Sequence, residues 1–248
     1  MDLIVIPTYD EASTIGSLLD RIQAIRALDR FHVLVVDDAS PDGTADAVRA
    51  HPSYGDRVLL LERGGKEGLG AAYRAAFAWA QRHEVGVVVQ MDADGSHQPE
   101  TVPALVAALE DSDVAIGSRY VPGGRTVDWS WQRRLVSRVG NAYVRLVLGL
   151  PVHDCTAGFR AYRAEALMVL AAGETEADGY SFQIETTWRA TRLGLRVVEV
   201  PITFVERQAG ASKMTSAIVR EALWRVLVWR FRRGRAGALV PTVRGIAA

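Results

Sequence analysis

Over the first 117 residues, apolar runs of strand length alternate with stretches of helical period, and short breaks rich in Gly, Pro, Asp and Ser separate them. Leu3–Pro7, His32–Asp37, Val58–Glu62, Val85–Met91 and Asp113–Gly117 read as strands. Ala12–Leu28, Thr44–Ala50, Leu69–His83 and Pro99–Glu110 read as helices, with Pro, Ser, Asp or Thr near their starts. Such alternation builds βαβ units, so an α/β domain with a mostly parallel central sheet is expected. After Gly117 the order loosens into a Pro122–Gly124 loop, a Trp-rich turn, a long helix and a mixed α and β region to about Arg207. No internal repeat or low-complexity linker divides the chain. The expected organisation is one domain over residues 1–211, including a helix near 132–150, and a basic amphipathic segment over 212–248.

If the strands are parallel, their carboxyl ends share one edge, and ligands of open α/β sheets bind at that edge. The run Val85–Met91 ends there in Asp92-Ala93-Asp94. Hard cations such as Mg²⁺ and Mn²⁺ take oxygen ligands and commonly share them between one or two carboxylates and substrate phosphates. The acid pair therefore reads as a metal bridge to a diphosphate, with a solvated turn as the bland alternative. Two other strands end in Pro7-Thr8-Tyr9-Asp10-Glu11 and in Asp37-Asp38-Ala39-Ser40-Pro41-Asp42-Gly43-Thr44. An acid after the second strand often holds a ribose or base; Asp42 or Thr44 fits a helix cap better than Asp38. The Gly65–Gly70 loop has neither P-loop nor dinucleotide spacing and reads as a tight turn into the next helix.

Net charge is zero, yet it is unevenly spread: residues 1–118 carry −10, 119–163 carry +6, and 205–248 carry +7. An acidic half beside basic stretches points to an anionic surface or phosphorylated partner near the basic part, and no nucleic acid is expected. The single Cys155 forms no internal disulfide and reads as an inert packed thiol. Met1 leads into a strand within two residues, which leaves no room for a signal peptide. No apolar stretch of about 18 residues suggests a membrane span.

On a helical wheel, Arg133, Arg134, Ser137, Arg138, Asn141 and Arg145 share one face of the long helix. Leu135, Val136, Val139, Ala142, Tyr143, Leu146, Val147 and Leu150 share the other, while Val144 and Leu148 break the pattern. With Trp129 and Trp131 just upstream, this reads as a helix lying in a membrane interface, or as one packed on the domain's own sheet. In the C-terminal segment, Trp224, Trp229 and Phe231 among Arg225, Arg230, Arg232, Arg233 and Arg235 suggest contact with anionic lipid.

Six motifs follow one another in order: P-T-Y-D-E, D-D-A-S-P-D-G-T, D-A-D-G-S-H-Q-P-E, G-S-R-Y-V-P-G-G, T-A-G-F-R and R-x-x-G-x-S-K. The set resembles the inverting family-2 glycosyltransferases of GT-A fold (Rossmann-like, mostly parallel), and within them the polyprenyl- or dolichyl-phosphate mannose synthases. The resemblance spans residue 3 to about 215. It implies GDP-mannose as donor, a polyprenyl phosphate lipid as acceptor and Mg²⁺ or Mn²⁺ as cofactor. Carried over, Pro7, Tyr9, Glu11, Val36 and Asp38 would line the guanosine. Asp92, Ala93 and Asp94 would sit at the diphosphate, and Asp92, Asp94 and Ser96 would hold the metal. Some relatives have Gln at the position of Ser96; a serine hydroxyl is a poorer ligand, and water or His97 could substitute. Arg119, Arg133 and Ser137 match the acceptor-phosphate site, and Arg119, Arg207 and Lys213 the sugar diphosphate. Asp92, Asp94 and Arg119 would carry the catalytic work, while Asp154 would orient the acceptor side or its loop.

The enzyme would then work peripherally at the cytoplasmic face of a membrane, alone or with a separate membrane-anchoring protein. A polyprenyl-phosphate glucose synthase shares the same motifs. A haloacid-dehalogenase-type phosphatase also uses D-x-D, but normally after the first strand, whereas here the motif ends the fourth. A non-catalytic membrane-binding module would need the basic helices without the acids at the strand ends.

Overall fold

The structure is a computed structural model that describes residues 1–171, 179–206 and 216–231, of which Tyr180 and 216–222 are described as backbone only. Arg207, Lys213, Arg232, Arg233 and Arg235, and the boundary at 211, lie outside the described residues. The chain runs β1 (Asp2–Thr8), α1 (Ala12–Gln23), β2 (Phe31–Asp37), α2 (Thr44–Arg49), β3 (Val58–Glu62), α3 (Leu69–Arg82), β4 (Val87–Gln90) and α4 (Val102–Ala107). It continues through β5 (Val114–Ser118), β6 (Arg125–Val127), α5 (Trp131–Leu148), β7 (Arg160–Arg163), α6 (Ala164–Ala171) and α7 (Gly179–Arg192). The last described elements are β8 (Val197–Pro201), β9 (Thr203–Val205) and α8 (Ser216–Phe231).

All five expected strands are present and belong to a seven-stranded sheet of order β3-β2-β1-β4-β7-β5-β8. Every pairing in it is parallel except those of β7, which runs antiparallel between β4 and β5. The order reverses at β1: β2 and β3 lie on one side of it and β4 on the other, which opens a crevice at the carboxyl ends of β1 and β4. A two-stranded ribbon of β6 and β9 stands beside that edge.

Alternation along β1 supplies both layers of core. Leu3 and Val5 face a cluster with α3, α5, α6, α7 and α8, while Ile4 and Ile6 face one with α1, α2 and α4. Two expected helices are shorter than their patterns. The first stops at Gln23, because Ile25 is extended (φ −91°, ψ 100°) and a 3₁₀ turn, Arg26–Leu28, then tucks Leu28 into the core. The stretch Pro99–Glu110 divides into 3₁₀, α and 3₁₀ pieces. Pro103 lacks the N–H that an α-helix would bond to the Pro99 carbonyl, so the first turn closes instead from Val102 to Pro99.

Helix α5 is capped by Ser130, whose side chain accepts from the Arg133 amide, and it ends on Gly149 in the left-handed region. Its buried residues are Asn141, Val144 and Leu148. The two residues that disturb the wheel are therefore its anchors, and they tilt the apolar stripe away from the sheet. Leu135, Val136 and Val139 are more than half exposed and Leu146 is 82% exposed, so this stripe is not core-packed. Tyr143 and Val147 do lean on the core, and Leu150 is buried. On α8, Trp224 and Phe231 are exposed. Trp229, expected at lipid, is instead buried and stacks on Trp188 with centroids 6.0 Å apart. Among the described residues no helix is long and apolar enough to cross a membrane.

The rotation of α5 makes a direct prediction. Leu148→Ala should cost about 2–5 kcal/mol of stability, as a buried leucine truncation does, whereas Leu146→Ala should stay within about 0.5 kcal/mol. Urea unfolding of the two variants compares them; similar losses would mean that α5 packs through the other face.

Candidate active site

The strand order places the carboxyl ends of β1, β2, β4 and β5 around one cavity of about 470 Å³. Pro7, Tyr9 and Glu11 reach it from β1, Asp38 from β2, Asp92, Ala93 and Asp94 from β4, and Arg119 from β5. Arg133 and Ser137 close it from α5. The structure thus gathers most of the expected site residues into one space. Val36 and Ser96 are both buried, and neither is among the cavity-lining residues. Val36 is a core residue of β2. The Ser96 amide donates to Asp94 Oδ1 at 3.1 Å, so Ser96 shapes the turn that holds Asp94.

The loops after β1 and β2 are tied together, which explains their many short polar residues. Asp37 accepts from Thr8 Oγ1 (2.9 Å), from Ser40 Oγ (2.6 Å) and from the Ser40 amide (2.9 Å). Asp42 accepts from the Ala12 amide at 2.9 Å and from the Thr44 amide and hydroxyl. Asp10 and Ala39 hold positive φ angles of 61° and 55° here, a conformation that these bonds sustain. Asp38 is left to face the cavity, where its Oδ1 pairs with Arg63 at 2.6 Å. The Gly65–Gly70 loop, read above as a plain turn, is also part of the wall: Lys66 lies 3.6 Å over the Tyr9 ring, and Gly68 (φ 96°) turns the chain into α3.

Asp92 and Asp94 both line the cavity. Beside them, His97 Nδ1 accepts from the Asp92 amide at 3.0 Å and its ring stacks on Phe159. A neutral imidazole accepting at Nδ1 carries its proton on Nε2, and that nitrogen lies 3.7 Å from Asp92 Oδ2. His97 therefore helps to orient Asp92 from the cavity wall. Below the pair, burial and then the Asp92 carboxylate push the Tyr73 phenol well above its ordinary range, so it stays protonated.

Arg119 is held by Asp154, which is fully buried. The Arg119 amide and Nε donate to Asp154 Oδ2 (2.9 and 2.7 Å) and its Nη2 to Asp154 Oδ1 (2.6 Å). The same Nη2 donates to Thr156 Oγ1, which also accepts from Asn141 of α5. Asp154 thus fixes both an arginine and, through Arg119 and Thr156, the loop that bonds to α5. Arg119 and Arg133 share the Trp129 ring, at 5.3 and 4.0 Å from its centroid, and Arg133 also pairs with Glu206. Trp129, expected at the membrane, is instead buried in the cavity wall against Phe204, while Trp131 is exposed. Tyr120 Oη donates to Ser137 Oγ at 2.6 Å, which fixes that hydroxyl at the cavity wall. Burial raises the Cys155 thiol to about 12, consistent with an inert side chain.

Sequence reading missed Lys66, Asn141, Thr156, Gly158 and Gln183 as cavity residues. The T-A-G-F-R motif flagged Thr156 and Gly158 without assigning them. Gln183 carried no signal, because a glutamine on a helix reads as solvated surface.

Comparison with known proteins identifies the family and the fold. Glycosyl transferase family 2 matches residues 3–170. The chain is 47% identical over 235 residues to polyprenol monophosphomannose synthase of Mycolicibacterium smegmatis, covering 93% of this chain and 87% of that protein. It is 48% identical over 227 residues to undecaprenyl-phosphate mannosyltransferase of Micrococcus luteus, covering 92% and 93%. Its fold is similar to glucosyl-3-phosphoglycerate synthase of Mycobacterium tuberculosis. The form with Mn²⁺, UDP-glucose and phosphoglyceric acid superposes with a TM-score of 0.69 at 24% identity, over 93% of this chain and 79% of that one. The form with Mg²⁺ and UDP gives 0.64 at 25% identity, over 94% and 78%. The chain therefore belongs to glycosyltransferase family 2, as a glycosyltransferase built on the GT-A fold.

Proposed function

We propose that this enzyme transfers mannose from GDP-mannose to a polyprenyl phosphate, giving polyprenyl-phosphate mannose and GDP with inversion at the sugar. The observation that carries this reading is the single cavity, which runs from the strand-end acids to Arg119, Arg133 and Ser137 on the α5 side. One end suits a nucleotide diphosphate and the other an anionic acceptor. The mannosyltransferase names of the two bacterial relatives support the sugar and the lipid.

Asp92 and Asp94 supply a donor set of carboxylate oxygens, the chemistry that Mg²⁺ and Mn²⁺ prefer. Among the described residues they stand in no group of three or more His, Cys, Asp or Glu side chains that could hold a metal. They therefore fit a cation that completes its shell from water and substrate phosphate, and the Mg²⁺-bound relative at 25% identity supports the assignment. When bound, such a cation would neutralise charge on the leaving diphosphate.

The protein's own groups do the rest. Tyr9 and Asp38 border the nucleotide end, with Pro7 and Glu11 beside them. Arg207 and Lys213 are proposed at the diphosphate. Arg119 and Arg133 would hold the acceptor phosphate, for which the planar guanidinium is suited, and Ser137 would add a hydroxyl. A phosphate monoester is largely dianionic at neutral pH, with a second pKa of ~6, so no general base is needed. A phosphate oxygen attacks the anomeric carbon as the bond to the diphosphate breaks, and GDP leaves with that electron pair. Catalysis then rests on bringing two anions together in line and stabilising the one that departs.

The acceptor's lipid tail places the reaction at a membrane surface, proposed as the cytoplasmic face, with or without an anchoring partner. The wall of the acceptor end is also the helix whose outer face bears Leu135, Val136, Val139 and Leu146 beside Arg134, Arg138 and Arg145. Apolar side chains flanked by cations are how an interfacial helix meets anionic lipid.

Two expected outcomes test this reading. Incubated with labelled GDP-mannose, UDP-glucose and polyprenyl phosphate, the enzyme should transfer mannose alone and only with added divalent metal. Asp94→Asn should lower that turnover by at least about 100-fold with an unchanged circular dichroism spectrum. Glucose transfer in preference to mannose, or full activity in excess EDTA, would refute the assignment. The Leu135→Gln, Val139→Gln, Leu146→Gln triple variant should stay folded and lose binding to anionic vesicles in a flotation assay, since each apolar side chain inserted is worth about 1.5–3 kcal/mol. Unchanged flotation would place the membrane contact elsewhere.

A further inference from the structure

Gln183 lies on α7 between two residues that fix the rotation of that helix. Phe182 is buried and stacks on Tyr73 (centroids 5.8 Å, interplanar angle 11°), and Ile184 is buried in the same core. Gln183 itself lines the cavity yet is only 2% exposed, and neither its Oε1 nor its Nε2 finds a hydrogen-bond partner among the described residues. An amide buried with both ends unmade is costly and rare in folded proteins. Opposite it stands Gly158, also in the cavity wall. A Cβ at Gly158 would lie 3.6 Å from Gln183 Nε2 and 3.7 Å from Asp92 Oδ1. The amide and the carboxylate therefore border one small gap that the glycine leaves open.

We infer that Gln183, across the gap left by Gly158 and beside the Asp92 carboxylate, binds hydroxyl groups of the transferred hexose and sets the donor-sugar specificity. This rests on the sugar-transfer reading above. The chemistry of the gap selects the ligand. A primary amide offers donors and an acceptor without charge, which matches a hydroxyl, itself both donor and acceptor. A hydroxyl can also donate directly to an Asp92 oxygen, whereas a phosphate oxygen has no proton to donate and meets that carboxylate only through a cation. Mannose and glucose differ in the orientation of one ring hydroxyl, and a site that must pair buried polar groups rejects the sugar that leaves them unpaired.

The test combines calorimetry of GDP with Mn²⁺ and steady-state transfer from GDP-mannose and GDP-glucose, in wild type, Gln183→Ala and Gly158→Ala. The alanine Cβ makes only ordinary contacts at Gly158, so that variant should fold and fill the gap; it decides the matter if Gln183→Ala does not fold. Both variants should keep GDP and Mn²⁺ affinity within about twofold. Their kcat/KM for GDP-mannose should fall about 10- to 100-fold, the loss of one or two hydrogen bonds, and the preference over GDP-glucose should shrink with it. An undiminished preference in the variants overturns the subsite while leaving mannosyl transfer intact. So does a loss of GDP or Mn²⁺ affinity equal to the loss of transfer, which would place Gln183 at the nucleotide or metal. A wild type that uses neither donor overturns the proposed function and the subsite together.

Discussion

Strand β4 pairs with the side of β1 that β2 leaves unoccupied, and the rest of the site depends on that pairing. Backbone hydrogen bonds to β2 and β4 occupy both flanks of β1, and the strand order reverses there, which opens a crevice at the carboxyl ends of β1 and β4. Pro7, Tyr9, Glu11 and Asp92–Asp94 line that crevice because they stand at the ends of those two strands. The antiparallel insertion of β7 next to β4 then brings the loop before it, residues Asp154–Gly158, to the same edge. Carboxylates, arginines and the small Gly158 meet there although they come from distant parts of the chain.

Bringing an acidic and a basic region together creates an electrostatic problem that the structure meets by pairing. Arg119 would be costly to bury alone; Asp154, fully buried, satisfies it with three hydrogen bonds and is itself steadied by a bond from its amide to Glu199 at 2.9 Å. Arg160, equally buried, donates from Nε and Nη2 to the carbonyls of Ala157 and Cys155, at 2.7 and 3.0 Å, and so pins the loop that carries Thr156 and Gly158. Arg133 and Asp38 keep partners while facing the cavity. Charged groups held in this way arrive at a ligand already oriented, which lowers the reorganisation that binding and transfer would otherwise require.

Helix α5 performs three jobs because it has three faces. Asn141, Val144 and Leu148 seat it on the domain, Arg133 and Ser137 turn toward the cavity, and Leu135, Val139 and Leu146 remain exposed. A two-faced wheel hides this division. Val144 and Leu148 look like flaws in an amphipathic pattern, yet they are the contacts that rotate the apolar stripe outward. The apolar side chains at the surface are thus separated by one helix width from the residues proposed to hold the acceptor phosphate, a short path for a lipid whose head must enter while its tail stays in the bilayer.

The sequence by itself determined the first five strands, their alternation with helices and the acids at the strand ends. Each of these follows from local periodicity: alternation in Leu3–Ile6 buries both faces of β1, and a strand that ends in Asp92-Ala93-Asp94 must present its acids at a sheet edge. Ordered motifs also contain the cavity's strand-end acids, Arg119 and Gly158. Tertiary structure decided what depends on partners far along the chain. It set Trp129 and Trp229 into the interior while leaving Trp131 and Trp224 exposed, since an indole reads the same in either place until its neighbours are known. It tied Ser96 to Asp94 and His97 to Asp92, a matter of a few hydrogen-bond directions. And it placed Gln183 opposite Gly158, 25 residues away in sequence, because only the packing of α7 against the sheet brings a helical amide and a loop glycine to the same gap.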